Sequence, residues 1–149
     1  MIKNLLNEST IMLQAEVESW EGAGIKAGEL LFKNGFVEQD YIERMIEAVN
    51  DFGPYIVIAP GIALFHARPE ESVKEVCLSM VTLKTPVEFG AGDKDPVDLI
   101  FAFAAIDDNS HLKAISELMK ILQDDQLVSN IRKEKNKEKV IENIHQKFD

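Results

Sequence analysis

Histidine is scarce in this chain of 149 residues, occurring only at His66, His111 and His145. His66 directly follows the apolar run Ile62-Ala63-Leu64-Phe65 and precedes Ala67-Arg68-Pro69. An imidazole on a loop at the end of a core strand is held by a rigid scaffold yet reaches solvent. With its ordinary pKa of ~6.5, histidine is largely neutral in a neutral cell and can serve as nucleophile, base or metal ligand. Arg68, two residues on, offers a planar fork of donors suited to a phosphate. His111 follows the polar cluster Asp107-Asp108-Asn109-Ser110, whose N-cap chemistry places it in the first turn of a helix. Unpaired backbone N–H groups there favour an anion and disfavour a charged imidazole. Position alone leaves plain roles open: His66 as a satisfied core or loop histidine, Arg68 as surface charge, His111 as a residue that merely begins a helix.

The other reactive side chains carry less. His145 falls in a charged C-terminal helical segment and is most simply solvated. Glu70-Glu71 could complement a basic partner or be surface charge. Asp93, Asp95 and Asp98 lack the glycine and terminal glutamate of a calcium-binding EF-hand loop. Cys77, the single cysteine, sits within an expected strand as an inert core thiol, and it excludes an internal disulfide or a cysteine-based zinc site. Neither a phosphate-cradling glycine-rich loop nor a G-x-S-x-G elbow occurs. His66 and His111 as a metal pair lack a carboxylate placed beside them.

The elements that must position these groups are legible as a pattern of strands and helices. Thr10–Val17 reads as a first strand, and Ser19 as N-cap of a helix running to Asn34 with Gly35 beyond it. Gln39–Asn50 forms a second helix, with Tyr41, Met45, Ile46 and Val49 on one face, ended by Gly53-Pro54. Tyr55–Ala59 is a strand too apolar to have an exposed face. Val76–Leu83 is a further strand, Val87–Phe89 a separate short one, and Pro96 opens a long buried strand over 97–106. Helices then span about His111–Leu122, 124–132 and 136–147. Strands mixed with helices at both ends of the chain imply a three-layer α/β/α sandwich with a mixed central sheet.

Composition sets the class. Apolar residues make up 46% and charged residues 28%, which excludes disorder over most of the length. A formal net charge of −10 repels nucleic-acid backbones and anionic lipid but could steer a basic protein towards the chain. No stretch approaches the ~20 apolar residues needed to span a bilayer. The N-terminus lacks the pattern of a signal peptide, and a lone cysteine suits a reducing cytoplasm.

Two stretches carry a family resemblance. The first is Phe52-Gly53-Pro54-Tyr55-Ile56-Val57-Ile58-Ala59-Pro60-Gly61-Ile62-Ala63-Leu64-Phe65-His66-Ala67-Arg68-Pro69-Glu70-Glu71. The second runs from Leu78-Ser79-Met80-Val81-Thr82-Leu83 through Asp95-Pro96-Val97-Asp98 to Ala104-Ala105-Ile106-Asp107-Asp108-Asn109-Ser110-His111. Together they resemble the enzyme IIA component of the bacterial sugar phosphotransferase system, in the mannitol/fructose class, and Phe-Gly-Pro-Tyr is most similar to the ascorbate-specific branch.

The resemblance implies a single domain over 1–149, a phosphotransferase component in the cytoplasm that needs no cofactor and no metal. It implies that the phosphocarrier protein HPr donates a phosphoryl group to His66, forming a tele-phosphohistidine. Enzyme IIB would accept the group on a cysteine, and the membrane enzyme IIC would move ascorbate or a related sugar. His111 matches the family's second active-site histidine, beside the phosphate. Phe65 stands where the family usually has proline, so φ is not fixed by a ring there. An arginine upstream of the histidine in mannitol-type members falls near Ala48 here, which leaves Arg68 as the expected source of positive charge. A second role fits the same motif: a regulatory module whose phosphorylation at His66 controls a binding partner.

Overall fold

The computed structural model describes residues 1–68 and 71–149. Five strands form one mixed sheet among the described residues, with helices on both faces. In chain order the elements are α1 (Ile2–Leu5), β1 (Ile11–Ala15), α2 (Trp20–Lys33), α3 (Gln39–Phe52), β2 (Val57–Ala59) and β3 (Ile62–Phe65). They continue with β4 (Cys77–Val87), β5 (Val97–Ala104), α4 (Asp108–Leu122), α5 (Asp125–Lys133) and α6 (Lys137–Lys147). The sheet order is β1-β4-β5-β3-β2.

Period-two alternation builds two cores from one sheet. Ile100, Ala102 and Ala104 of β5 face α2 and α3, whose Ala23, Ala27, Tyr41 and Met45 meet them. Leu99, Phe101 and Phe103 face the other way, against Ala114, Leu118, Ile131 and Ile144 of the C-terminal helices. Because both faces are covered, β5 has to be apolar throughout, and all its residues but Asp98 are buried.

Strand direction decides where the chemistry can lie. β3 and β5 are adjacent and parallel, with Phe65 opposite Ala102, so their C-terminal ends emerge side by side. Everything just after Phe65 and just after Ala104 is thereby brought to one end of the sheet, the usual place for a site in an open α/β sheet.

Several expectations need correction. Tyr55–Ala59 is not a strand covered on both faces: only Val57–Ala59 pair, at the sheet edge, and Ile58 and Ala59 are half-buried. Val87 is no separate strand. It ends β4, where pairing with Val97 resumes after the exposed stretch Lys84–Pro86. α4 begins at Asp108 rather than His111, because Asp107 is the N-cap and its carboxylate accepts from the Ser110 N–H at 2.7 Å. A short helix, α1, precedes the first strand. It fills the second core with Ile2. Cys77 lies fully buried in β4, where burial pushes its thiol up to about 12.

Candidate functional site

Residues from three elements converge on an open cleft of about 1020 Å³ at the C-terminal ends of β3 and β5. The β3 side gives His66, Ala67 and Arg68. The stretch after β5 gives Ala105, Ile106, Asp107, Asp108 and His111, and the C-terminal half of α3 with its turn gives Arg44, Glu47, Ala48, Asp51, Phe52 and Tyr55. His66, Arg68 and His111, singled out from sequence, thus share one cavity. His145 does not: it is half-buried on α6, with Nε2 3.3 Å from the Leu6 carbonyl, a tie between the chain ends rather than a solvated group. Asp98 pairs with Arg132 at 2.9 Å, and Asp95 accepts from the N–H groups of Phe89 and Ala91, so both serve local structure. Of the Glu70-Glu71 pair, Glu70 lies outside the described residues and Glu71 is exposed.

The His66 ring has a defined tautomer. Its Nδ1 lies 2.9 Å from the carbonyl oxygen of Leu64. A carbonyl only accepts, so Nδ1 carries a proton, and it is Nε2 that holds the lone pair of the uncharged ring. Tyr55 packs against the same ring, centroids 5.5 Å apart and planes at 86°. His111, exposed on the first turn of α4, is held in the same manner by Phe103, at 5.3 Å and 65°.

Phe65, which stands where the resemblance leads one to expect proline, is fixed by other means. It is fully buried, in register with Ala102, with its ring beside Phe89 and under Gly24 of α2. Strand pairing and packing there do the work of a fixed φ.

Two residues that sequence reasoning passed over complete the support. The Tyr41 hydroxyl donates to the Phe103 carbonyl at 2.7 Å and accepts from the Ala67 N–H at 3.1 Å, tying the ends of β5 and β3 together. Burial raises its pKa, so it stays a neutral phenol. Arg44, one helical turn before Ala48, brings its guanidinium over the Tyr41 ring and donates to the Ser72 hydroxyl and the Arg68 carbonyl. The cleft therefore holds a second arginine beside Arg68. Its only signal in the sequence was a position three residues after Tyr41, on the flank of the buried face of α3.

Electrostatically the site is divided. Arg44, Arg68 and the N-terminus of α4 offer positive potential, while Glu47, Asp51, Asp107 and Asp108 line the same cleft. Asp107 is held below the usual carboxylate range by hydrogen bonds from the Ser110 N–H and hydroxyl. Among the described residues no group of three or more His, Cys, Asp or Glu side chains is arranged to hold a metal ion. The chemistry such a cleft supports is nucleophilic attack by Nε2 on an anionic electrophile.

Comparison with known proteins names the family. The pattern described as "Phosphoenolpyruvate-dependent sugar phosphotransferase system, EIIA 2" matches residues 4–147. The ascorbate-specific EIIA component of Escherichia coli K12 is 40% identical over 143 residues, covering 95% of this chain and 92% of that protein. The mannitol-specific cryptic phosphotransferase enzyme IIA of Escherichia coli superposes with a TM-score of 0.87 at 25% identity, over 97% of this chain and 98% of that one. Mannitol enzyme IIA of Escherichia coli, from its complex with phosphorylated mannitol enzyme IIB, shares the fold at a TM-score of 0.83 and 23% identity, over 95% of this chain and 99% of that one. The imidazole tied through Nδ1 to the Leu64 carbonyl thus sits on a fold shared with phosphotransferase proteins, and the chain belongs to the EIIA type 2 family of the phosphoenolpyruvate-dependent sugar phosphotransferase system as one of its phosphotransferase components.

Proposed function

We propose that the protein is a cytoplasmic phosphoryl carrier that accepts phosphate from HPr on Nε2 of His66 and passes it to an enzyme IIB, for uptake of ascorbate or a related sugar through a membrane enzyme IIC. The hydrogen bond between Nδ1 and the Leu64 carbonyl is the observation that carries this reading. In the first step the lone pair of Nε2 forms the new N–P bond as the donor's P–N bond breaks, its electron pair returning to the donor's imidazole. Nδ1 keeps its proton throughout. In the second step a thiolate of enzyme IIB forms an S–P bond and the N–P pair returns to Nε2. A ring that still holds the Nδ1 proton then leaves as neutral imidazole rather than as an anion, which is what makes the group easy to pass on.

The transition state spreads negative charge over the three equatorial oxygens of the phosphoryl group. Arg44, Arg68 and His111 line the cleft where that charge develops. Groups preorganised in this way need no reorganisation when the charge appears. The acidic rim suits a basic donor protein, and the relative named ascorbate-specific supports the choice of sugar. The solved complex of mannitol IIA with phosphorylated IIB supports the acceptor.

Incubation with purified enzyme I, HPr and labelled phosphoenolpyruvate tests the proposal. Acid-labile label on the wild type and none on His66→Ala is expected. Label on His66→Ala equal to wild type would refute it. A purely regulatory module would hold the label and pass none to its cognate enzyme IIB.

A further inference from the structure

The turn Phe52-Gly53-Pro54-Tyr55 leaves two large aromatic rings in an unusual position. Phe52 is 78% exposed and Tyr55 44% exposed, so neither is there to fill a core. The backbone is built to present them. Gly53, at φ 84°, ends α3 in the left-handed region, and the Tyr55 and Val57 N–H groups close the turn onto the Gly53 and Pro54 carbonyls at 2.9 and 3.1 Å. The two rings meet at 6.4 Å and 81°, and Tyr55 in turn meets His66 at 5.5 Å and 86°.

A single hydrogen bond to Leu64 fixes one atom of the imidazole and leaves the ring free to rock about it. A half-turn of the ring about Cβ–Cγ would put Cδ2 in the place of Nδ1 and break the bond to Leu64. Without that bond the neutral ring in water prefers its proton on Nε2, the nitrogen that must stay bare. A perpendicular aromatic wall removes that freedom. We infer that Tyr55, backed by Phe52, is a positioning residue that holds His66 in its Nδ1–H tautomer with Nε2 presented for phosphoryl transfer. The inference rests on the carrier reading of His66, but the tautomer is measured without any phosphate.

Nitrogen-15 spectra of histidine-labelled protein give the tautomer directly from the two ring shifts. Wild type and Tyr55→Phe are expected to show His66 protonated at Nδ1, and Tyr55→Ala to show a mixture. With saturating phosphorylated HPr, the single-turnover rate of Tyr55→Ala is expected to fall about 3- to 10-fold, the worth of one such ring pair, with Tyr55→Phe near wild type. Should the alanine variant lose its fold, Tyr55→Leu fills the space without the planar face and is expected to behave as Tyr55→Ala does. A wild-type tautomer and saturating rate in a folded Tyr55→Ala would overturn the inference, including the case where only the half-saturating donor concentration rises. So would a Tyr55→Phe as impaired as Tyr55→Ala, since the hydroxyl and not the ring would then matter. Failure of every variant to take label, with the tautomers as expected, would count against the carrier reading and not against this one.

Discussion

In the proposed carrier the Leu64 carbonyl is the smallest feature that decides the chemistry, because it would assign the two nitrogens of His66 opposite duties. In the proposed cycle His111 has a different duty. It lies in the same cleft, held against Phe103, and has no need to be a nucleophile. We expect His111→Ala to accept label from HPr yet transfer it onward about 10²-fold more slowly, the scale set by losing one preorganised donor. Onward transfer at the wild-type rate, followed by quenched flow, would remove His111 from the mechanism. His66 and His111 were legible as candidates because each stands at a strand or helix boundary where side chains reach solvent. Arg44 was not. Apolar periodicity marks the buried face of α3 but says nothing of which flanking charge the loop after β3 will fold back to meet, and that loop supplies both of its named acceptors, Ser72 and Arg68.

At the level of elements, α2 has to approach β3 closely enough to bury Phe65, the residue before His66. Gly24 permits this. A Cβ there would lie 2.6 Å from Cε1 of Phe65 and 2.9 Å from Cδ1 of Ile46. Replacing glycine inside a helix gains roughly 0.5–1 kcal/mol of propensity, whereas overpacking a filled core costs about 1–3 kcal/mol. Overpacking wins, so Gly24→Ala is expected to lower stability by about 1–2 kcal/mol in urea titration and to slow labelling of His66. An unchanged or raised midpoint would contradict the packing account. Helix starts at Ser19 and near Asp107 could be read because capping is local chemistry, and Ser19 and Asp107 do cap α2 and α4. The edge position of β2 could not, since an apolar run carries no mark of whether its second neighbour strand exists. Nor could the continuity of β4 across Lys84–Pro86: a polar stretch with a proline reads as a break, and pairing beyond it depends on β5 lying alongside.

For the molecule as a whole, the strand order is what gathers the site. Parallel neighbours β3 and β5 bring segments 40 or so residues apart in the chain to one end of the sheet, and α3 closes the third side. The three-layer class could be read from the sequence of strands and helices, but the order within the sheet could not. Net charge acts at this scale too. With −10 overall and Glu47, Asp51, Asp107 and Asp108 around the cleft, the proposed encounter with a basic donor would be electrostatically steered. Raising ionic strength from about 0.05 to 0.5 M shortens the Debye length severalfold and is expected to slow second-order labelling by HPr about tenfold, leaving the saturating rate little changed. A labelling rate indifferent to salt would show that the acidic rim plays no part in encounter.

The central claim concerns one atom, and a phosphorus–nitrogen coupling measured on the phosphorylated, nitrogen-15-labelled protein addresses it directly. Coupling of phosphorus to Nε2 of His66, with Nδ1 still bearing its proton, is the predicted result. Phosphorus bonded to Nδ1 of that ring, or to any nitrogen of His111, would contradict the account.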